Sequence, residues 1–449
     1  MVAVLGENIL ATGEEKNKWN GDIDRNLSLN GDQLFEITVS YPGKKHIHEI
    51  LSHEPATMQQ LWCGNFVRRN KLFYGDNLNV LAHLAQDHNI KGQVRLIYID
   101  PPFATNKVFK SRSRKDAYQD LLEGADYLEF IRERLVFLRE LLAEDGSIYI
   151  HLDSNMAFHV KVLMDELFGR SNFRNFITRR KCNPKNYTRN QYGNVSDYIL
   201  FYTKSGDYIW NRPHQDWTPE RATDEYQYVE KETGRRYKKV PIHAPGERNG
   251  ATGQSWRGML PPPGKHWQYT PETLDKMDAR GEIYWSSTGN PRRKIYLDES
   301  KGIPIQDIWL DVKDAHNQNI KITGYPTEKP AELLRRIIEA SSNPGDLVLD
   351  CFSGSGTTLS TASELKRDWI GVDSSSEAIK TTLRRFMKGL EPMGDFVNGR
   401  KKLPKQQQLP MFQSTSVISD FELLASNDIA GDLYKIVASW NETLSRQGN

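Results

Sequence analysis

"DLVLDCFSGSGTT", residues 346–358, is the stretch on which the fold turns. Its apolar run Leu347–Leu349 ends at Asp350, glycines follow at 354 and 356, and a breaker-free segment begins at Thr357. That order predicts a strand, a glycine-bearing turn and a helix N-terminus. Together these cradle a nucleotide cofactor, because glycine lets backbone approach the ligand and a helix start offers free N–H groups. No Gly-Lys-Ser/Thr follows, so the turn is not a phosphate loop, and Leu359 occupies the third position of a GxGxxG pattern. Asp373 closes the next strand-like stretch, "WIGVD", where Rossmann-like folds present an acid to ribose hydroxyls. The residues therefore predict a nucleoside cofactor without requiring a pyrophosphate.

The rhythm extends outward on both sides. "KLFYGDNLNVLAHL" (71–84) predicts a strand, a turn at Gly75 and Asp76, and a helix, while "VRLIYID" (94–100) and "GSIYIHLD" (146–153) predict apolar strands. Between them Leu128, Ile131, Leu135, Leu138 and Leu142 recur at helical spacing, with Gly146 as the expected stop. Strands alternating with helices predict an α/β fold with a mostly parallel sheet covered by helices on both faces.

Five segments follow from the texture of the chain. Residues 1–60 read as an N-terminal extension with one strand-like stretch, "QLFEITVSY"; 61–206 and 316–390 read as two halves of one α/β domain. Residues 207–315, rich in Trp, Tyr, Gly, Pro and basic residues, read as an irregular β-containing insert, each Trp serving either recognition or the core. Residues 391–449 read as a linker and a helical C-terminal tail.

Composition excludes several classes. With 38% hydrophobic and 26% charged residues and a net charge of +2 over 449 residues, the chain has an ordinary globular composition. Any nucleic-acid affinity must then come from local basic patches. Cys63, Cys182 and Cys351 are odd in number and widely spaced, which supports neither a disulfide framework nor a zinc site and predicts no metal and a reducing, cytoplasmic setting. The opening segment has too short an apolar run for a signal peptide, and no stretch is long enough to span a bilayer.

The strand Leu96–Ile99 runs straight into Asp100, Pro101, Pro102 and Phe103. Prolines end a strand because they lack an N–H, and Asp100 on its own reads as a turn former. Combined with the downstream Phe352-Ser353-Gly354-Ser355-Gly356 loop, however, this strand end resembles the S-adenosylmethionine-dependent amino methyltransferases of DNA. Because "DPPF" precedes "FSGSG" with the insert between them, the chain is similar to the circularly permuted β class, which includes modification subunits of type III restriction systems.

The resemblance implies a Rossmann-like methyltransferase fold, S-adenosylmethionine as cofactor and double-stranded DNA as substrate, with a restriction subunit or a second copy as further partners. It implies that the insert recognises the target. It implies catalysis by Asp100, Pro101, Pro102 and Phe103. Cofactor contacts are implied for Asp76 and Asn77 of "FYGDNLNVL", for Thr327 and Lys329 of "YPTEKP", and for Asp350, Phe352, Ser353, Gly354, Gly356 and Asp373. The family more often carries Tyr at the place of Phe103 and Glu at that of Asp373.

The chemistry suits those residues. The exocyclic amine of adenine is a poor nucleophile because its lone pair is delocalised. The Asp100 carboxylate and the Pro101 carbonyl each accept an N–H, localising the lone pair, and the prolines stiffen the strand end. Phe103 would stack on a flipped base. Arg179, Arg180, Lys181 and Lys185, and Arg292 and Arg293, are the expected DNA contacts, in runs with few acids. The resemblance implies adenine N6 as the target, because cytosine-N4 members of the family usually carry Ser in the position of Asp100. Cytosine N4, a non-catalytic DNA-recognition subunit and a Rossmann oxidoreductase are the alternatives.

Overall fold

The computed structural model of the protein describes residues 37–64, 69–102, 108–110, 116–119, 124–183, 190–314, 328–388, 417–434 and 437–438. In chain order the elements that position the site are β1 (Met58–Cys63), β2 (Lys71–Tyr74), α1 (Asn77–Leu84), β3 (Val94–Ile99), α2 (Gly124–Leu141), β4 (Leu142–Leu152), α3 (Ala157–Phe168), β5 (Phe173–Arg180) and β6 (Ser196–Thr203). After the insert come β7 (Ile308–Trp309), α4 (Ala331–Ser341), β8 (Leu347–Asp350), α5 (Thr357–Glu364), β9 (Asp368–Asp373), α6 (Ser376–Lys388) and β10 (Glu422–Ser426).

These strands form one sheet in the order β1-β10-β2-β9-β8-β3-β4-β6-β5-β7. Pairing is parallel from β10 through β4, whereas β6 runs antiparallel to both β4 and β5 and β1 runs antiparallel to β10. The central strands read as apolar runs because both faces are covered. On one face α1, α2 and α3 bury Leu81, Leu135 and Val160 against Ile97 and Ile99. On the other, α4, α5 and α6 bury Ile337, Leu359 and Leu383 against Leu96 and Val348.

Adjacent strands β8 and β3 lead away to opposite sides. β8 continues through α5 to β9, and β3 through α2 to β4. Such a switch point opens a crevice at the C-terminal strand ends, where open α/β sheets bind ligands.

Between β6 and β7 the insert forms its own antiparallel sheet from Tyr228–Val229, Arg236–Val240, Pro291–Tyr296 and Ile283–Trp285. It has its own core of Ile242, Trp256, Trp267, Leu274, Met277 and Ile283, so Trp256 and Trp267 are core residues.

Three expectations change. The described part of "QLFEITVSY", residues 37–41, is not a strand; it lies along α2, where Tyr41 Oη donates to Glu129 Oε2 at 2.7 Å. The helix over residues 128–142 stops at Leu141, and Gly146 lies inside β4, where a Cβ would stand 2.8 Å from Leu142 Cδ1. Finally, the sheet takes the first half of β1, Met58–Gln60, and all of β10 from the segments that sequence set apart as extension and tail. Phe421, fully buried beside β10, meets Trp62, Trp369 and Phe386 with ring centroids 4.6, 5.8 and 5.3 Å away. After β10 the tail makes a short 3-10 turn, Ala430–Leu433, and residues 389–416, 435–436 and 439–449 lie outside the described residues.

Candidate active site

A cavity of about 410 Å³ opens at the switch point. Asp76, Asn77, Tyr98, Asp100, Asp350 and Asp373 line it together with the loop after β8. The sequence thus placed its candidate acids, 297 residues apart from Asp76 to Asp373, around one volume because their strands are neighbours in the sheet.

At the end of β3 the Lys329 ammonium pairs with Asp100 Oδ2. The other oxygen, Oδ1, is buried and has no hydrogen-bond partner among the described residues. One half of the carboxylate is thereby fixed and the other left open as an acceptor. Pro101 is buried and Pro102 half-buried, and both line the cavity beside it. Phe103 and Thr327 lie outside the described residues.

The glycine loop is organised by the two strand-end acids. Asp350 accepts from Phe352 N at 3.0 Å and from Thr358 Oγ1 at 2.5 Å; Asp373 accepts from Gly354 N at 2.8 Å and Ser375 N at 2.8 Å. Each Asp373 oxygen takes one backbone N–H, which leaves each a lone pair for a ligand. Gly356 sits at φ 73° as the cap of α5, and a Cβ there would stand 2.7 Å from Thr382 Cγ2, so only glycine suits the position. Ser353 Oγ is buried without a hydrogen-bond partner among the described residues.

On the opposite wall Asp76 caps α1, accepting from Leu78 N at 2.9 Å. Asn77 donates to Cys351 O at 2.8 Å and accepts from Arg134 Nε at 2.6 Å. It ties the glycine loop to α2. The Arg134 guanidinium lies 3.6 Å from the Phe130 ring centroid, and Phe130 stands 6.1 Å from Phe352, so two aromatic rings line the cavity here.

Sequence reasoning missed the residues that join the two halves. Glu328, next to Lys329, pairs with Arg385, whose Nε also donates to Ser355 O at 2.7 Å. The dipeptide Glu328-Lys329 therefore ties the end of β3 to the glycine loop. Glu328 stood within the "TEKP" motif; Arg385 gave no signal, being one more basic residue on a helix.

Residues 94–384 match the N6/N4 DNA methylase family. The chain belongs to that family. This methylase is 49% identical over 380 residues to the type II methyltransferase M.EcaI of Enterobacter cloacae, across 84% of this chain and 82% of that one. It is 28% identical to the StyLTI Mod subunit, a type III restriction-modification enzyme of Salmonella typhimurium, across 67% of this chain and 50% of that one. A shorter match, 57% over 62 residues, covers 14% of this chain and 21% of the DNA adenine methyltransferase YhdJ of Escherichia coli.

The methylase's expected DNA contacts divide. Arg179 is fully buried, with its guanidinium held by Asp197, Asp314 and the Val312 carbonyl, so it cannot reach a phosphate. Arg293 faces the core side of the insert sheet and donates to Tyr269 Oη at 2.6 Å. Arg180 and Lys181 are half-buried, Arg292 is exposed, and Lys185 lies outside the described residues.

Burial pushes the Asp350 carboxyl up to about 7, against the hydrogen bonds from Thr358 and Phe352; Asp373 is likewise pushed up to about 6 by burial, against backbone N–H groups. A folded pKa above the unfolded value means that folding disfavours the ionised form. This contribution is absent below the ordinary value of 3.8 and destabilises increasingly as pH rises towards about 7. Asp350→Asn should remove that slope. In thermal melts of wild type and variant over about pH 5 to 7.5, the variant should gain on the wild type as pH rises. A constant difference would show that Asp350 does not titrate there.

Proposed function

We propose that this methylase transfers a methyl group from S-adenosylmethionine to the N6 amine of a flipped-out adenine in duplex DNA, as the modification enzyme of a restriction-modification system. The observation that carries the reading is the half-locked Asp100 carboxylate, with Oδ2 on Lys329 and a buried, open Oδ1. An amine that must be made nucleophilic needs such an acceptor, fixed before the substrate arrives.

S-adenosylmethionine fits the cavity's donor set. Asp373 has lone pairs for ribose hydroxyls, the Ser353 hydroxyl is unpartnered, the glycine loop presents its backbone, and Phe130 and Phe352 offer apolar faces. The volume lies within the range of small-molecule sites. Asp76, Asn77 and Asp350 shape this wall through the cap and loop bonds described above. When bound, the cofactor supplies a methyl group on a positively charged sulfur that is already an activated leaving group.

The chain's own residues do the rest. Asp100 Oδ1 accepts one amine N–H and the Pro101 carbonyl the other, which turns the nitrogen lone pair towards the methyl donor. Oδ1 is also the nearest acceptor for the proton the amine sheds. Phe103 is the stacking plate implied by the strand-end motif, and stacking is worth about 1–3 kcal/mol per base against an unstacking cost of a few kcal/mol. The adenine reading draws on Asp at position 100 and on the similarity to an adenine methyltransferase. A restriction subunit and a second copy of the chain are the partners this reading admits.

The outer face of the insert sheet is the DNA surface we favour. Strand alternation puts Lys239, Arg292 and Lys294 on one face with Tyr228, Tyr237, Tyr284 and Tyr296. Lys294 is neutralised by Glu230, but Lys239 lies 3.6 and 3.4 Å from the Tyr228 and Tyr284 ring centroids and Arg292 is exposed.

Two measurements test the reading. Incubation with methyl-labelled cofactor and unmethylated duplex DNA, followed by digestion to nucleosides, should put the label on N6-methyladenine; label on N4-methylcytosine would transfer the same geometry to cytosine, and no label would sink the enzyme reading. Lys239→Ala and Arg292→Ala should each weaken DNA binding and reduce the slope of log affinity against log salt by about 1. An unchanged slope would move the DNA to another face.

A further inference from the structure

Beyond Asp100 a buried polar row crosses this edge of the sheet, and no role in the reaction has so far been given to it. Tyr98 Oη lies 2.9 Å from His151 Nδ1, His151 Nε2 lies 2.8 Å from Asp197 Oδ2, and Arg179 Nη1 lies 3.2 Å from the same oxygen. Arg179 also pairs with Asp314. His151 and Arg179 are fully buried, and Tyr98 and Asp197 are each 2% exposed.

Strand register puts the row on one face of the sheet. Tyr98 is opposite Tyr149, so Asp100 and His151, each two residues on, share a side; His151 is opposite Ile199, and Asp197, two residues away, is opposite Arg179. This is the α4 face, the one from which Lys329 enters. Burial opposes ionisation of Asp197, yet His151, Arg179 and the Lys329 ammonium hold its pKa below the usual carboxylate range. Lys329 thus acts electrostatically on both Asp100 and Asp197.

Stability does not demand such a row. Buried ion networks replaced by well-packed apolar residues are often neutral or more stable. Its position is informative: one end abuts the catalytic strand end, and the other reaches Asp314, just before the segment that leads to Lys329.

We propose that His151 and Asp197, with Tyr98 at the cavity wall, are positioning residues for methyl transfer: the row holds the end of β3 and the Lys329 ammonium so that one Asp100 oxygen stays locked and the other stays open to the target amine. The proposal rests on the reading of Asp100 given above.

The test is a double-mutant cycle on single-turnover methyl transfer with duplex DNA at saturating cofactor. Asp197→Asn should slow the step by about 10- to 100-fold, with cofactor and DNA dissociation constants held within about 2-fold. The Asp197→Asn/Lys329→Gln pair should be no slower than Lys329→Gln alone, because both act through one group. Losses that multiply, or a loss confined to binding, would overturn the proposal. Tyr98→Phe removes only a hydroxyl and reads the other end of the row should Asp197→Asn not fold: slower transfer with intact binding supports the row, and a wild-type rate overturns it. Asp100→Ala separates the two readings. Transfer that persists in Asp100→Ala removes the premise, whereas inactive Asp100→Ala beside fully active Asp197→Asn and Tyr98→Phe removes the row alone.

Discussion

The structure turns on the ion pair between Lys329 and Asp100. Lys329 is 9% exposed and Asp100 18%, so the pair sits where removing one partner strands a charge at a cost of about 3–5 kcal/mol. A buried pair is a poor source of net stability but a strong constraint on geometry. Here it selects one orientation of a carboxylate that would otherwise rotate, and it does so from a residue on the far side of the insert. Glu328 extends the constraint to Arg385 and the Ser355 carbonyl, so the end of β3 and the glycine loop keep a common frame. Methyl transfer needs both groups aligned along one line, and small displacements there cost orders of magnitude in rate.

The sheet makes that alignment attainable. β3 and β8 are far apart in the chain yet adjacent and parallel, and their connections leave to opposite faces. The insert enters after β6 and returns at β7, at the far edge of the sheet, so it grows without disturbing the central strands. Its separate core lets its outer face carry cations and tyrosines freely.

Much of this was legible in the residues. Periodicity gave α1 and the central strands, because each depends on local pattern and turn chemistry. Asp-Pro-Pro and the glycine loop identified the strand ends because their backbone demands are rare in ordinary strands. What failed depended on contacts distant in sequence. Nothing in "DFELLAS" marks it as a strand between β1 and β2; its partners lie hundreds of residues upstream. Arg179 looked like a phosphate contact because it sits in a basic run, but β5 turns alternate residues inward and Asp197 meets it from the neighbouring strand. Arg293 failed by the same alternation, whereas its neighbour Arg292 is exposed on the opposite face. Lys329 was found as a cavity residue, but its pairing with the Asp100 carboxylate is a contact that the motif did not announce.

That last point offers the most direct test. The measurement is single-turnover methyl transfer by Lys329→Gln across a cofactor titration, which separates the rate at saturation from cofactor affinity. If Lys329 fixes Asp100, the saturating rate falls steeply and the cofactor dissociation constant barely moves. A weakened cofactor affinity with a wild-type rate at saturation would place Lys329 on the cofactor and contradict the account.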